Sequence, residues 1–226
     1  QHRVEHTVQR FIRRMKMKEI NMDSWGRKEI FDFFSTVSNP FYMVTFRLDV
    51  TELYRYVKAN GLSFYYSLIY LCTKALCGVP EFMYVIRGGM VTKLDGRIPS
   101  FTDLRRGSDC FHIVTMPAEG TMRDFCSVAA ERSAAQKGFI DYSSQSDGLI
   151  YFSCLPWVDM TALTNERDLA APGARDDSVQ HIAWGKYVKN GDRLELGVSV
   201  EVNHRLIDGV HIGKFAAELE HLIRSL

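Results

Sequence analysis

The sequence predicts an α+β domain built on a mostly mixed or antiparallel sheet. Helical and strand-like stretches alternate without a regular strand–helix–strand repeat, which argues against a parallel α/β fold. The run RLELGVSVEVNH (193–204) places Leu194, Leu196, Val198, Val200 and Val202 at every second position, the mark of a strand with one buried face. Behind it, Ile212, Phe215, Ala216, Leu219, Leu222 and Ile223 recur at helical spacing and predict a closing amphipathic helix.

The other elements follow in chain order. NMDSWGRKEIFDFF (21–34) predicts a helix capped by Asp23 or Ser24. FYMVTFRLDVT (41–51) alternates as a strand, and its last residues open a helix through ELYRYVKAN that Gly61 closes. YYSLIYLCTKALCGVP (65–80) predicts a buried helix ending before Pro80, and MYVIRGGMVTKL (83–94) a hairpin turning on Gly88 and Gly89. Residues 120–138 are amphipathic and helical, GLIYFSC (148–154) is a short apolar strand, and NERDLAAPGARDD (165–177) is a polar loop.

Bulk properties narrow the function. The 226 residues are 46% hydrophobic and 24% charged, as in an ordinary globular domain. No apolar run reaches the roughly 18–20 residues of a membrane span, and the start lacks a signal-peptide pattern. Residues 1–18 carry six Lys or Arg against one Glu, whereas the remainder is mildly acidic. The expectation is a basic, mobile extension over 1–22 and a single domain over 23–226 with no nucleic-acid or membrane partner. Cys72, Cys77, Cys110, Cys126 and Cys154 show neither CxxC nor Cys/His metal spacing, so free thiols, a cytoplasmic setting and no metal site are expected. Nucleotide fingerprints of the GxGxxG and GxxxxGK[ST] kind are missing.

The chemistry concentrates in VEVNHRLIDGVHIG (200–213). His204 shares the parity of Val200 and Val202, so a continuing strand would point it into protein, where a neutral imidazole accepts a proton near pH 7. Asp208 and Gly209 mark a turn, with Asp208 placed to cap the last helix and His211 on that helix as a surface or packing residue. A structural histidine at a strand-to-helix turn is the competing reading.

NHRLIDG (203–209) resembles the HHxxxDG signature of the chloramphenicol acetyltransferases, shared with the acyltransferase cores of 2-oxo acid dehydrogenase complexes. SWGRKEIFDFF, PEFMYVIRGGMV, FSCLPWVDMTAL and WGKYVKNGDRLELG are similar to further family segments in the same order, and the resemblance covers about residues 23–226. It implies a two-layer sandwich of mixed sheet and packed helices, no permanently bound cofactor, and acetyl-CoA as co-substrate. A cytoplasmic homotrimer with sites between subunits is implied as well, acetylating the 3-hydroxyl of chloramphenicol. His204 matches the family's general base and Ser153 the serine that stabilises the tetrahedral oxyanion. Asp208 and Arg27 match a structural charge pair. Phe33, Phe34 and Trp157 match aromatic positions around the acceptor, with core packing as the other reading, and Lys186 and Tyr187 match contacts to the coenzyme.

Four departures bear on specificity. Asn203 replaces the first of the paired histidines, Ala183 a threonine that aids transition-state binding, and Ser63 a lysine facing the coenzyme phosphate, while the 165–177 loop is longer than usual. Two alternatives stay open: the same chemistry on a different small hydroxylated acceptor, and a catalytically weak homologue serving as a binding module.

Overall fold

The computed structural model describes residues 2–226, and their side chains from residue 8 on. In chain order the elements are α1 (His2–Arg14), β1 (Met17–Glu19), α2 (Lys28–Ser35), β2 (Phe41–Asp49), α3 (Thr51–Asn60) and α4 (Phe64–Cys77). Then come β3 (Tyr84–Arg87), β4 (Met90–Leu94), β5 (Ile98–Leu104), β6 (Phe111–Thr115), α5 (Met122–Ala135) and β7 (Leu149–Leu155). The chain closes with β8 (Gln180–Gly185), β9 (Val188–Asn190), β10 (Arg193–Asn203) and α6 (Gly209–Arg224).

The main sheet runs β2-β10-β8-β7-β5-β6, with β9 hydrogen-bonded to β10. β5–β7 and β7–β8 are parallel and the other pairs antiparallel, so the sheet is mixed. Helices α4, α5 and α6 pack on one face of it against Phe101, Phe152, Ile182, Val198, Val200 and Val202. Each such side chain leaves water almost completely, a gain of roughly 1.5–3 kcal/mol apiece. Turn chemistry fixes the boundaries as the sequence suggested: Gly61 ends α3 in the left-handed region, and Gly88 and Gly89 turn the β3–β4 hairpin at positive φ.

Three expectations are corrected. The first helix of the domain begins at Lys28, not beside Asp23 or Ser24. Ser24, Trp25 and Lys28 instead close successive turns onto the carbonyls of Asn21, Met22 and Trp25. The segment set apart as a basic extension packs against the body: Val8 and Met15 are buried with Val85, Leu94, Ile98, Leu149 and Val179. Strand β1 extends the β3–β4 hairpin into a three-stranded antiparallel sheet. Val8, Phe11, Ile12 and Met15 stand at helical spacing, which is the stripe that makes this contact.

The third correction concerns β10, which is buried on both faces. Ser199, Glu201 and Asn203 are as inaccessible as the valines between them. Their cover is the strap 158–177, which crosses the face that alternation assigned to water. The main chain of Leu163 donates to Ser199 Oγ (3.1 Å) and that of Asn165 to Glu201 Oε2 (3.1 Å). Arg167 Nε reaches Glu201 Oε1 at 2.6 Å, while its guanidinium lies 3.6 Å from the centre of the Phe41 ring. Polar residues look inward here because a loop, rather than water, satisfies them.

Glycine is required where the strap crosses. A Cβ at Gly185 would stand 2.6 Å from the Val158 carbonyl oxygen, and one at Gly197 would collide with that of Met160. Gly197→Ala is therefore expected to lower stability by about 1–3 kcal/mol in urea denaturation. Gly213→Ala, with open space around an exposed helical position, should raise it by about 0.4–1 kcal/mol. Equal midpoints for Gly197→Ala and the parent would show that the strap does not press on the sheet.

Candidate active site

His204 follows the last residue of β10, and its main-chain N–H donates to Pro40 O at 2.8 Å. The strand stops at Asn203, and the imidazole lies beside Tyr42, the register partner of Val202, but is only partly covered, its side chain keeping 31% exposure. The ring stacks on Phe34 of α2, with centroids 3.8 Å apart and planes 21° apart, and lies 4.2 Å from the Tyr42 ring of β2. Removal from water lowers the His204 pKa below 6.5; Asp208 pulls it back up and Arg27 pushes it further down. The imidazole is accordingly neutral at pH 7.

Arg27 and Asp208 form a two-point ion pair: Nη2 reaches Oδ1 at 3.1 Å, and Nη1 donates to Oδ2. This bond, ahead of all other influences, holds the Asp208 carboxyl below 3.8. Asp208 Oδ1 stands 3.8 Å from His204 Nε2. Its main-chain N–H donates to Nδ1 of the buried His211 at 2.9 Å, and its carbonyl oxygen receives the first amides of α6. The carboxylate is thus spent on Arg27 while the backbone starts the helix.

Ser153 lies elsewhere, in a cavity of about 670 Å³ shared with Trp157, Lys186 and Tyr187. Phe64, Tyr65 and Trp184 supply apolar wall, and Tyr187 rests 5.3 Å from the Phe64 ring. Lys186 is the one basic side chain of the lining, which also carries Asp103 and Asp109. Asp103 is engaged by the Tyr66 hydroxyl at 2.5 Å. Trp157 and Phe33 are largely exposed, at 68% and 64%, so neither is a core residue of the single chain.

The residues singled out from the sequence therefore fall into two groups. His204, Asp208, Arg27, Phe33 and Phe34 gather at one end of the sheet, and Ser153, Trp157, Lys186 and Tyr187 gather in the cavity. Register gives the separation. Ser153 pairs with Ala183 and Ala183 with Ser199, and His204 lies five residues beyond Ser199. Two interstrand steps and five residues of rise put the two groups on the order of 20 Å apart in one chain.

Three residues near the two groups escaped the sequence reading. Tyr42 packs on His204 and donates to Ile207 O at 3.1 Å; its hydroxyl is pushed up to about 12 by burial. Only the β2–β10 register, which sets Tyr42 opposite Val202, would have revealed it. Tyr151 and His181 pair with each other on the same face as Ser153, one pleat closer to the His204 end. Among the described residues no group of His, Cys, Asp and Glu could hold a metal ion.

The profile described as chloramphenicol acetyltransferase matches residues 15–220. The chain belongs to that family, and it is an acetyltransferase enzyme. A chloramphenicol acetyltransferase from Klebsiella sp is 25% identical over 89% of this chain and 91% of its own. A solved chloramphenicol acetyltransferase superposes with TM-score 0.81 at 23% identity, covering 92% of this chain and all of the other. A probable dihydrolipoamide acetyltransferase from Listeria monocytogenes gives TM-score 0.62 at 16% identity, over 92% and 94% of the two chains. These likenesses establish the two-layer acyltransferase fold.

For this family member the Arg27–Asp208 pair makes stability depend on pH in a definite direction. A carboxyl whose folded pKa is depressed contributes stability that is complete above its unfolded value and lost as pH falls through its folded value. Arg27→Ala should therefore melt below the parent at pH 7, with the gap closing as pH drops below 3.8. A gap unchanged down to pH 2 would show that the lost stability had another source.

Proposed function

We propose that the protein is an acetyl-CoA-dependent O-acetyltransferase that modifies the 3-hydroxyl of chloramphenicol, with His204 as general base. The observation that carries this reading is the division of the site. A neutral, stacked imidazole stands at one end of the sheet, and Ser153 sits in a coenzyme-sized cavity on the order of 20 Å away. A homotrimer completes such halves, each His204 facing a neighbour's cavity.

In the proposed reaction His204 takes the proton of the acceptor hydroxyl as the oxygen attacks the thioester carbon. The Ser153 hydroxyl donates to the oxyanion that forms, and collapse expels the coenzyme thiolate, which receives the proton from the imidazolium. Acetyl ester and free thiol are the products. The cavity suits the coenzyme in kind: aromatic walls from Trp184, Tyr187 and Phe64 accept an extended apolar arm, and Lys186 offers one cation for a phosphate. Ser63 caps α4, its hydroxyl accepting from Tyr66 N at 3.2 Å, and adds no second cation.

His204→Ala should lower kcat/KM by roughly 10²–10⁴-fold and Ser153→Ala by roughly 10²–10³-fold in a thiol-release assay. For the parent, kcat/KM should rise with pH through an apparent pKa below 6.5 and then level off. Mixing the two inactive variants tests the assembly. Random trimers regain an intact His204–Ser153 pairing at about one interface in four, and hence about a quarter of the activity. Full activity of His204→Ala would eliminate the proposed base, and absence of recovery on mixing would eliminate the shared site.

A second reading keeps this chemistry and changes the acceptor. It is favoured by the Tyr151–His181 pair beside Ser153 and by Ala183, which brings no hydroxyl to that face. A panel of small hydroxylated acceptors in the same assay separates the two readings by kcat/KM.

A further inference from the structure

The turn 174–177 at the end of the strap touches both chain neighbours of His204 and also the helix that stacks on it. Asn203, buried at the end of β10, donates through Nδ2 to Arg175 O (2.9 Å) and Asp177 O (3.0 Å). Its Oδ1 accepts the main-chain N–H of Arg205 at 3.1 Å. On the other side of His204, Arg205 Nη1 reaches Asp176 Oδ1 at 2.6 Å, and its guanidinium lies 4.4 Å from the centre of the Phe31 ring of α2. Arg175 Nη2 donates to the carbonyl of Ser35, the residue after Phe34. Arg167 anchors the turn from behind, with Nη1 2.6 Å from Asp177 Oδ2.

We propose that Asn203 is a positioning residue for His204: through this turn it fixes the chain on both sides of the imidazole and the helix end that stacks on it. The inference rests on His204 being the base. Residue type matters at 203. A primary amide supplies two donors and an acceptor at once, and all three are used here. A neutral imidazole has one donor and one acceptor, and a protonated one has two donors and no acceptor. The histidine found at this place in HHxxxDG could not make the same three bonds, so Asn203 and the long 165–177 loop belong together.

The test uses the 226-residue enzyme with acetyl-CoA and chloramphenicol, comparing Asn203→His and Arg175→Ala with the parent. Loosening the imidazole should lower kcat by about 10- to 100-fold, the scale of a 1 Å misplacement. KM for acetyl-CoA should stay within about twofold, because the cavity holds none of these residues. Selective labelling and NMR titration of His204 give a readout independent of turnover. Asp208, Arg27 and Tyr42 face the ring and remain in place, so its pKa should climb toward 6.5 as Phe34 withdraws and water enters. An unchanged kcat with an unchanged His204 titration would overturn the proposal. So would a parallel loss of kcat, acetyl-CoA affinity and melting temperature, which marks general unfolding. If the titration shifts while kcat holds and His204→Ala is also active, the base assignment fails and the positioning role of Asn203 in catalysis falls with it. If His204→Ala is inactive and neither variant moves kcat, only the positioning role fails.

Discussion

The ion pair between Arg27 and Asp208 joins the two ends of the domain, closing a loop of 181 residues. Arg27 precedes α2 and Asp208 precedes α6, so one bidentate contact sets the helix carrying Phe34 against the strand end carrying His204. Both side chains are mostly withdrawn from water. In such surroundings the attraction roughly offsets the desolvation of the two charges, while removing either one strands the other. The pair is therefore better understood as a constraint on geometry than as a store of stability. Phe34 and the start of α6 are tied together by it, while Tyr42 is set beside His204 by the β2–β10 register.

The second constraint is the strap over β10. Ordinarily a strand with alternating valines and polar residues faces water on one side. Here Ser199, Glu201 and Asn203 meet Leu163, Asn165, Arg167 and the 174–177 turn, and the strand is buried on both faces from Leu196 to Asn203. Such close approach works only because Gly185 and Gly197 leave room for the strap backbone. A buried Glu201 is tolerable because Arg167 and an amide satisfy both carboxylate oxygens.

Much of the fold was legible in the residues, for local reasons. Gly61, the Gly88–Gly89 pair and the even-numbered valines of β10 act over a few residues, and the structure realises each as a helix end, a hairpin and a strand. What stayed hidden depends on partners distant in sequence. Glu201 looked like a solvent-facing residue because its arginine lies 34 positions away in a loop with no periodicity of its own. Likewise the motif at 203–209 and the serine at 153 look equally close to a single site when taken as strings. Only strand register, counted through Ala183 and Ser199, sets them on the order of 20 Å apart. Asn203 stood out as a departure from HHxxxDG, but its consequence needed the loop that it binds.

Charge around His204 shows why the brace has to be a pair and not a lone carboxylate. Asp208 Oδ1, 3.8 Å from Nε2, favours the protonated ring, though less strongly than burial disfavours it. Arg27 counters this directly, since its positive charge lowers the His204 pKa while that of Asp208 raises it. With the two opposed, burial against Phe34 and Tyr42 decides the outcome, and the ring stays neutral. A proposed base needs that state before the acceptor arrives, and a nearby carboxylate to steady the imidazolium afterwards. The same contact that fixes α2 against α6 thus keeps the carboxylate beside the ring while its arginine offsets part of that charge, and burial sets the protonation state.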